Sequence, residues 1–127
     1  MSWEKSIEEL RRRERLAEKM GGEEPVERQR GRGKLTVRER VAFLADPGSF
    51  HEIGKIAGKA TYSADDELEA FLPSNSVTGR ATINGESVAI LADDFTVRGG
   101  ASDASIRGKL IMMIKMAAEY RMPLVQM

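Results

Sequence analysis

The stretch VTGRATINGESVAILADD, residues 77–94, constrains this chain more than any other. Val77, Gly79, Ala81 and Ile83 alternate with Thr78, Arg80 and Thr82, the period of a strand with one buried face. Asn84 and Gly85 follow, the pair best suited to a two-residue type I′ turn, which needs positive φ at both positions. The return segment, residues 87–92, is apolar almost throughout, so its strand should be covered on both faces.

Two aspartates and then Gly99 and Gly100 separate this hairpin from a helix expected over residues 103–121. Its apolar face is read as Ile106, Leu110, Met113, Ile114 and Ala117, with Ser102 or Asp103 as the N-cap. Pro123 ends it, and LVQM reads as the start of another buried strand. A strand, helix and strand in that order make a right-handed crossover with parallel strands, so the fold class is α/β. The sequence stops inside that apparent strand, the pattern expected of the N-terminal piece of a longer polypeptide.

Upstream, residues 2–20 read as a charged helix with Trp3, Ile7, Leu10 and Ala17 at helical spacing, ended by Gly21 and Gly22. So narrow a stripe should lie against another surface. Residues 23–34 read as an extended basic linker. Thr36 followed by Glu39 is a capping box, and it opens a helix carrying Val37, Val41 and Leu44. Asp46, Pro47 and Gly48 stop that helix, and SFHEIG follows as a short strand. Residues 55–75 fit neither period, and the acidic run DDELE reads as a solvated loop or a helical turn. The division expected is residues 1–34, a charged helix and basic linker, and residues 35–127, the start of a larger domain.

Composition narrows the chemistry. Twenty basic side chains balance twenty acidic ones, so no net field points to nucleic acid or to an anionic membrane. With no cysteine, thiolate zinc sites, disulfides and cysteine nucleophiles are excluded. Neither a signal peptide nor a stretch long enough to span a bilayer is present, so a cytoplasmic protein without membrane contact is expected. The one histidine, His51, has no carboxylate partner that the sequence can place, and reads as structural or exposed. Asp93 and Asp94 lack a third ligand at a useful spacing for a metal, which favours a loop or cap role.

The glycine pair admits two readings. It can be a tight corner, or a place where a ligand approaches the backbone next to the positive end of a helix. Lys109, two turns into the helix, and Arg98, beside the glycines, could then reach a phosphate, or could be solvated surface cations. The segment RQRGRGK, with Arg28, Arg30, Arg32 and Lys34, lacks the interleaved aromatics of a nucleic-acid surface. It is left as a solvated or phosphate-contacting linker.

Two blocks then carry a family resemblance: GRGKLTVRERVAFLADPGSFHEIG, residues 31–54, and VTGRATINGESVAILADDFTVRGGASD, residues 77–103. In order and distance they resemble the entry segment of carboxyltransferase chains of biotin-dependent acyl-CoA carboxylases, of the propionyl-CoA carboxylase β type. The resemblance implies a crotonase-like superhelix of β-β-α units, here a partial N-terminal half preceded by a helix. It implies carboxyl transfer from carboxybiotin, on a carrier domain of a partner subunit with biotin carboxylase, to the α-carbon of an acyl-CoA by way of a thioester enolate. It also implies a ring-like homo-oligomer. Mapped by that resemblance, Arg98, Gly99, Gly100, Ala101, Ser102 and Lys109 border the CoA, while the enolate-stabilising glycines lie beyond Met127, so no catalytic residue is assigned here. An acyl-CoA decarboxylase subunit and a non-catalytic interaction module are the alternative readings. The four-cysteine zinc ribbon of bacterial acetyl-CoA carboxylase β chains is missing, so that branch does not apply.

Overall fold

The structure, a computed structural model, describes residues 2–101 and 106–127. The hairpin is its centre. β4 (Ser76–Ile83) and β5 (Glu86–Asp93) pair antiparallel from Ser76 opposite Asp93 to Ile83 opposite Glu86. Asn84 and Gly85 both take positive φ, 51° and 81°, as the turn type requires. On one side of this pair lies β1 (His51–Glu52), antiparallel to β4; on the other lies β6 (Leu124–Gln126), parallel to β5. The sheet order is therefore β1-β4-β5-β6.

β5 is covered on both faces, as its unbroken apolar run requires. Val88, Ile90 and Ala92 meet Val37, Val41 and Ala45 of the helix α3 (Val37–Leu44) and the residue after it, together with Val77 and Ala81. Ala89 meets Met113 and Ala117 of α4 (Arg107–Glu119) on the opposite face. The expected β-β-α-β run is thus present, with β6 returning parallel.

The start of α3 carries the expected capping box. Thr36 Oγ1 accepts from Glu39 N–H at 3.2 Å, and Thr36 N–H donates to Glu39 Oε2 at 2.8 Å. Beyond its end, Asp46 ties α3 to the hairpin. Its carboxylate accepts from Thr82 Oγ1 at 2.6 Å, Gly85 N–H at 2.8 Å and Asn84 N–H at 2.9 Å. Those donors, Thr82 foremost, hold the carboxyl below its ordinary value of 3.8. A depressed carboxyl stabilises the fold fully above its unfolded value and loses that contribution as pH falls through the folded one. The stability of the natural chain relative to Asp46→Asn should therefore rise with pH through the acid range and level off above about 3.8. Urea titrations across that range would show it, and parallel curves for the two proteins would refute it.

Several expectations need correction. Residues 23–34 are not an extended linker: α2 (Glu23–Gly31) occupies most of them. Only Val26 is buried there, so no apolar period announces the helix. Glu23 and Glu24 in its first turn and Arg28 and Arg30 in its last match the macrodipole, and Val26 packs in the core. Pro25 lies within the first turn, where its missing N–H costs nothing. The core also crosses position 34, because Met20 and Val26 pack with Val37 and Val41.

Residues 55–75 form a second hairpin, β2 (Gly58–Tyr62) with β3 (Leu68–Pro73). The acidic run supplies its turn and the first residues of β3. α1 (Glu4–Glu18) does lie against another surface, the second hairpin, with Lys5 paired to Glu67 and Glu9 accepting from the Tyr62 hydroxyl, but of its apolar stripe only Ala17 is buried, while Trp3, Ile7 and Leu10 remain exposed. On α4 the buried stripe is Lys109, Met113 and Ala117, whereas Ile114 is 52% exposed. α4 begins at Arg107, with Ile106 at its N-cap and no side-chain cap bond. The proposed caps Ser102 and Asp103 lie outside the described residues. In β6, Leu124 and Gln126 are exposed and Val125 is half-buried among the described residues.

Candidate functional site

The corner after β5 is built from left-handed backbone. Arg98, Gly99 and Gly100 have φ of 48°, 61° and 78° in succession, forming a single 3-10 turn (Arg98–Gly100). Positive φ costs little at glycine and more at Arg98. Gly100 is also a close fit: a Cβ there would stand 3.1 Å from Cδ1 of Phe95, so the ring would have to give by a few tenths of an ångström. The glycine thus lets the Phe95 ring come close to the turn while 59% of that residue stays exposed.

Asp94 holds the turn from within. It is 2% exposed, and its Oδ1 accepts from Thr96 N–H at 2.9 Å and Thr96 Oγ1 at 2.6 Å. Burial pushes its carboxyl up against those two bonds, which pull it down. Asp94 is a loop cap, and Asp93 beside it points to the exposed side. Thr96 Oγ1 also accepts from Gly21 N–H at 3.0 Å, which fastens the end of α1 to the turn.

Lys109 is not a surface cation. It is 6% exposed, and its stem runs across Gly54, whose hypothetical Cβ would stand 3.2 Å from Lys109 Cε. Its Nζ donates to the Ser76 carbonyl at 2.6 Å and to Ser74 Oγ at 3.1 Å. Among the described residues no carboxylate lies within ion-pair distance of it. Burial lowers its pKa to about 8; Glu52 pulls it up and Arg38 pushes it down. Glu52 is itself paired with Arg38 at 2.6 Å and 3.1 Å.

Between Ser74 and Ser76, Asn75 faces the glycine turn. Its Nδ2 donates to the Ala101 carbonyl at 2.8 Å, and its own carbonyl accepts from Asp94 N–H at 2.8 Å. Ala101 is thus placed by a residue that sequence reasoning did not single out. Ser74, Asn75 and Ser76 are all buried polar residues at the entry to β4, and that polar run leading into a strand was the available signal.

The basic segment divides once it is folded. Arg28 is taken up by Glu24, and Arg30 by Glu27 and Glu39. Arg32 and Lys34 have no such partner among the described residues, nor does Arg40 of α3. These three cations, with Gln29, Leu35 and Phe95, line an open cavity of about 450 Å³. The cavity therefore adjoins the glycine turn through Phe95. Concentrated uncompensated positive charge beside an exposed aromatic ring suits a phosphate-bearing ligand with a flat ring system.

Of the six residues the sequence put at the site, Arg98, Gly99, Gly100 and Ala101 form the turn. Lys109 sits behind it, on Ser74 and Ser76, with its amine turned inward. Ser102 lies outside the described residues. His51 is exposed on β1. Among the described residues no helix is long and apolar enough to cross a membrane.

Residues 28–127 match the family described as the carboxyl transferase domain. The putative propionyl-CoA carboxylase beta chain of Bacillus subtilis is 38% identical over 109 residues, covering 86% of this chain and 21% of that protein. The methylmalonyl-CoA decarboxylase subunit alpha of Veillonella parvula is 35% identical over 105 residues, covering 83% of this chain and 21% of that protein. Among solved structures, the hexameric transcarboxylase 12S with methylmalonyl-coenzyme A and methylmalonic acid bound superposes with a TM-score of 0.80 at 32% identity. That likeness covers 99% of this chain and 25% of the transcarboxylase chain. The fold of these neighbours is crotonase-like. The chain spans between a fifth and a quarter of the length of the proteins it resembles.

Proposed function

This chain belongs to the carboxyl transferase domain family, and on that premise we propose that it forms the N-terminal part of an acyl-CoA carboxyltransferase. The reaction moves a carboxyl group from carboxybiotin to the α-carbon of an acyl-CoA, through the thioester enolate. Biotin arrives on a carrier domain of a partner subunit, and no residue of this chain is assigned to it. The acyl-CoA lies along the glycine turn, with its nucleotide tail in the cavity lined by Arg32, Lys34, Arg40 and Phe95. The enzyme works as a cytoplasmic homo-oligomer, in keeping with the hexamer of the transcarboxylase.

The observation that carries this reading is the cavity itself. Three cations without carboxylate partners among the described residues stand beside an aromatic ring close to the turn. CoA offers the complementary parts, an adenine and several phosphates. A charge-assisted hydrogen bond to a phosphate contributes about 1.5–3 kcal/mol. Arg32→Ala, Lys34→Ala and Arg40→Ala together should therefore weaken CoA binding by about a hundred-fold or more. Binding of pantetheine, which has no nucleotide, should stay unchanged. Calorimetric titration with both compounds checks this, and CoA affinity indifferent to the triple substitution would remove the site. The 127-residue chain on its own should show no carboxylation or decarboxylation.

A decarboxylase subunit is the second reading, favoured by the likeness to the Veillonella protein. It uses the same CoA site and runs the transfer in the other direction. Identification of the subunits that co-purify with the chain separates the two.

A further inference from the structure

One short segment grips two elements. Ser74 and Ser76 hold the Lys109 ammonium of α4 through a hydroxyl and a carbonyl. Asn75, between them, holds the far end of the glycine turn at Ala101 and the near end at Asp94. The segment is anchored in its turn: Ser74 N–H donates to the Ala57 carbonyl at 2.9 Å, and Ser76 pairs with Asp93 across the hairpin. Turn and helix are consecutive in the chain, yet the described residues join them through these three residues.

We propose that Lys109 is a positioning residue, which pins α4 to the segment that fixes the glycine turn and so sets where the turn stands relative to the helix. The stem of Lys109 passes over Gly54, where any side chain would press on it. The amine meets two acceptors and no carboxylate among the described residues, so its grip depends on its own charge. The charged groups facing it from other elements are Glu52 of β1 and Arg38 of α3. They are paired to each other in bidentate fashion, which leaves the amine as the group that changes state near pH 8.

The inference rests on the carboxyltransferase reading only in its ligand arm, so the test has two arms, both on the protein as the cell makes it. In the first, amide hydrogen exchange is followed without ligand in the Gly100 and Ala101 amides, which close the turn onto Val97 and Arg98. Lys109→Met should speed their exchange by about ten-fold or more, and Asn75→Ala should do the same with the lysine intact. Should Lys109→Met fail to fold, Ser74→Ala removes one acceptor alone and should give a smaller increase in the same amides. In the second arm, CoA affinity of the natural protein should fall as pH rises through about 8, while Lys109→Met binds weakly with no such step. Unchanged exchange in the turn of the lysine or serine variant overturns the proposal. If the natural protein binds no CoA at any pH, the CoA reading fails and the exchange arm still decides the role of Lys109.

Discussion

Replacing Gly21 with alanine should cost the fold about 3 kcal/mol and loosen the glycine turn at the same time. The cause is space, not backbone conformation, since Gly21 is not among the residues with positive φ. A Cβ at this position would stand 1.8 Å from the Thr96 carbonyl oxygen and 2.4 Å from its carbon. Those are backbone atoms, and Thr96 cannot step aside. Its N–H and hydroxyl are both bound to buried Asp94, and Val97 after it is fully buried. The same shift would break the bond from Gly21 N–H to Thr96 Oγ1. Gly22 provides the control. Its φ is 101°, but nothing lies within 4 Å of its Cβ position, so Gly22→Ala strains only the start of α2. Urea titration of both variants separates the effects. A Gly21→Ala protein as stable as the natural one would mean that α1 and the turn do not meet as described.

This coupling shows where reading the sequence stops. Gly21 and Gly22 are legible as a helix stop, yet nothing local says that one of them touches a loop seventy-five positions away. The hairpin and its two-sided strand were legible because their signals are local: a period of two, an Asn-Gly turn and an unbroken apolar run. Thr36 and Glu39 were legible for the same reason. α2 was hidden because one buried valine makes no period, although that valine packs in the main core and the order of the helix's charges suits its dipole. The β2–β3 hairpin was hidden because β2 buries no residue and β3 buries only Leu68, Phe71 and Pro73, with a break in the alternation after Leu68.

The site divides along similar lines. A turn at Gly99 and Gly100 could be read directly. Which of the basic residues remain uncompensated could not, because that depends on Glu24, Glu27 and Glu39 arriving beside Arg28 and Arg30. For Lys109 a signal existed and was passed over. Residues 109, 113 and 117 lie one turn apart, so the lysine shares a face with Met113 and Ala117 and must be buried wherever they are. The sequence reading placed Ile114 on that face instead, and the lysine then looked like part of the surface.

Burial of that lysine leads to the second large effect, and burial also fixes its sign. In the unfolded chain Lys109 keeps its ordinary value of 10.5, and in the fold it titrates at about 8. Below pH 8 it is charged in both states, and the fold bears the full cost of desolvating it. Between pH 8 and 10.5 the unfolded chain binds more protons, so stability must rise with pH, by about 3 kcal/mol over the whole interval. Tyrosines and other lysines titrate in the same range, so the quantity to measure is the difference between the natural protein and Lys109→Met. That difference should be flat below pH 8 and climb toward 10.5. A lysine held by a carboxylate would give the opposite slope, with stability lost as pH rises. A falling difference would therefore place an acidic partner on the amine, and a level one would mean that folding does not desolvate it; either would take away its dependence on Ser74 and Ser76. A rising one means that the fold keeps a costly charge where an apolar side chain would be cheaper, and the bonds to these two residues are the reason to keep it.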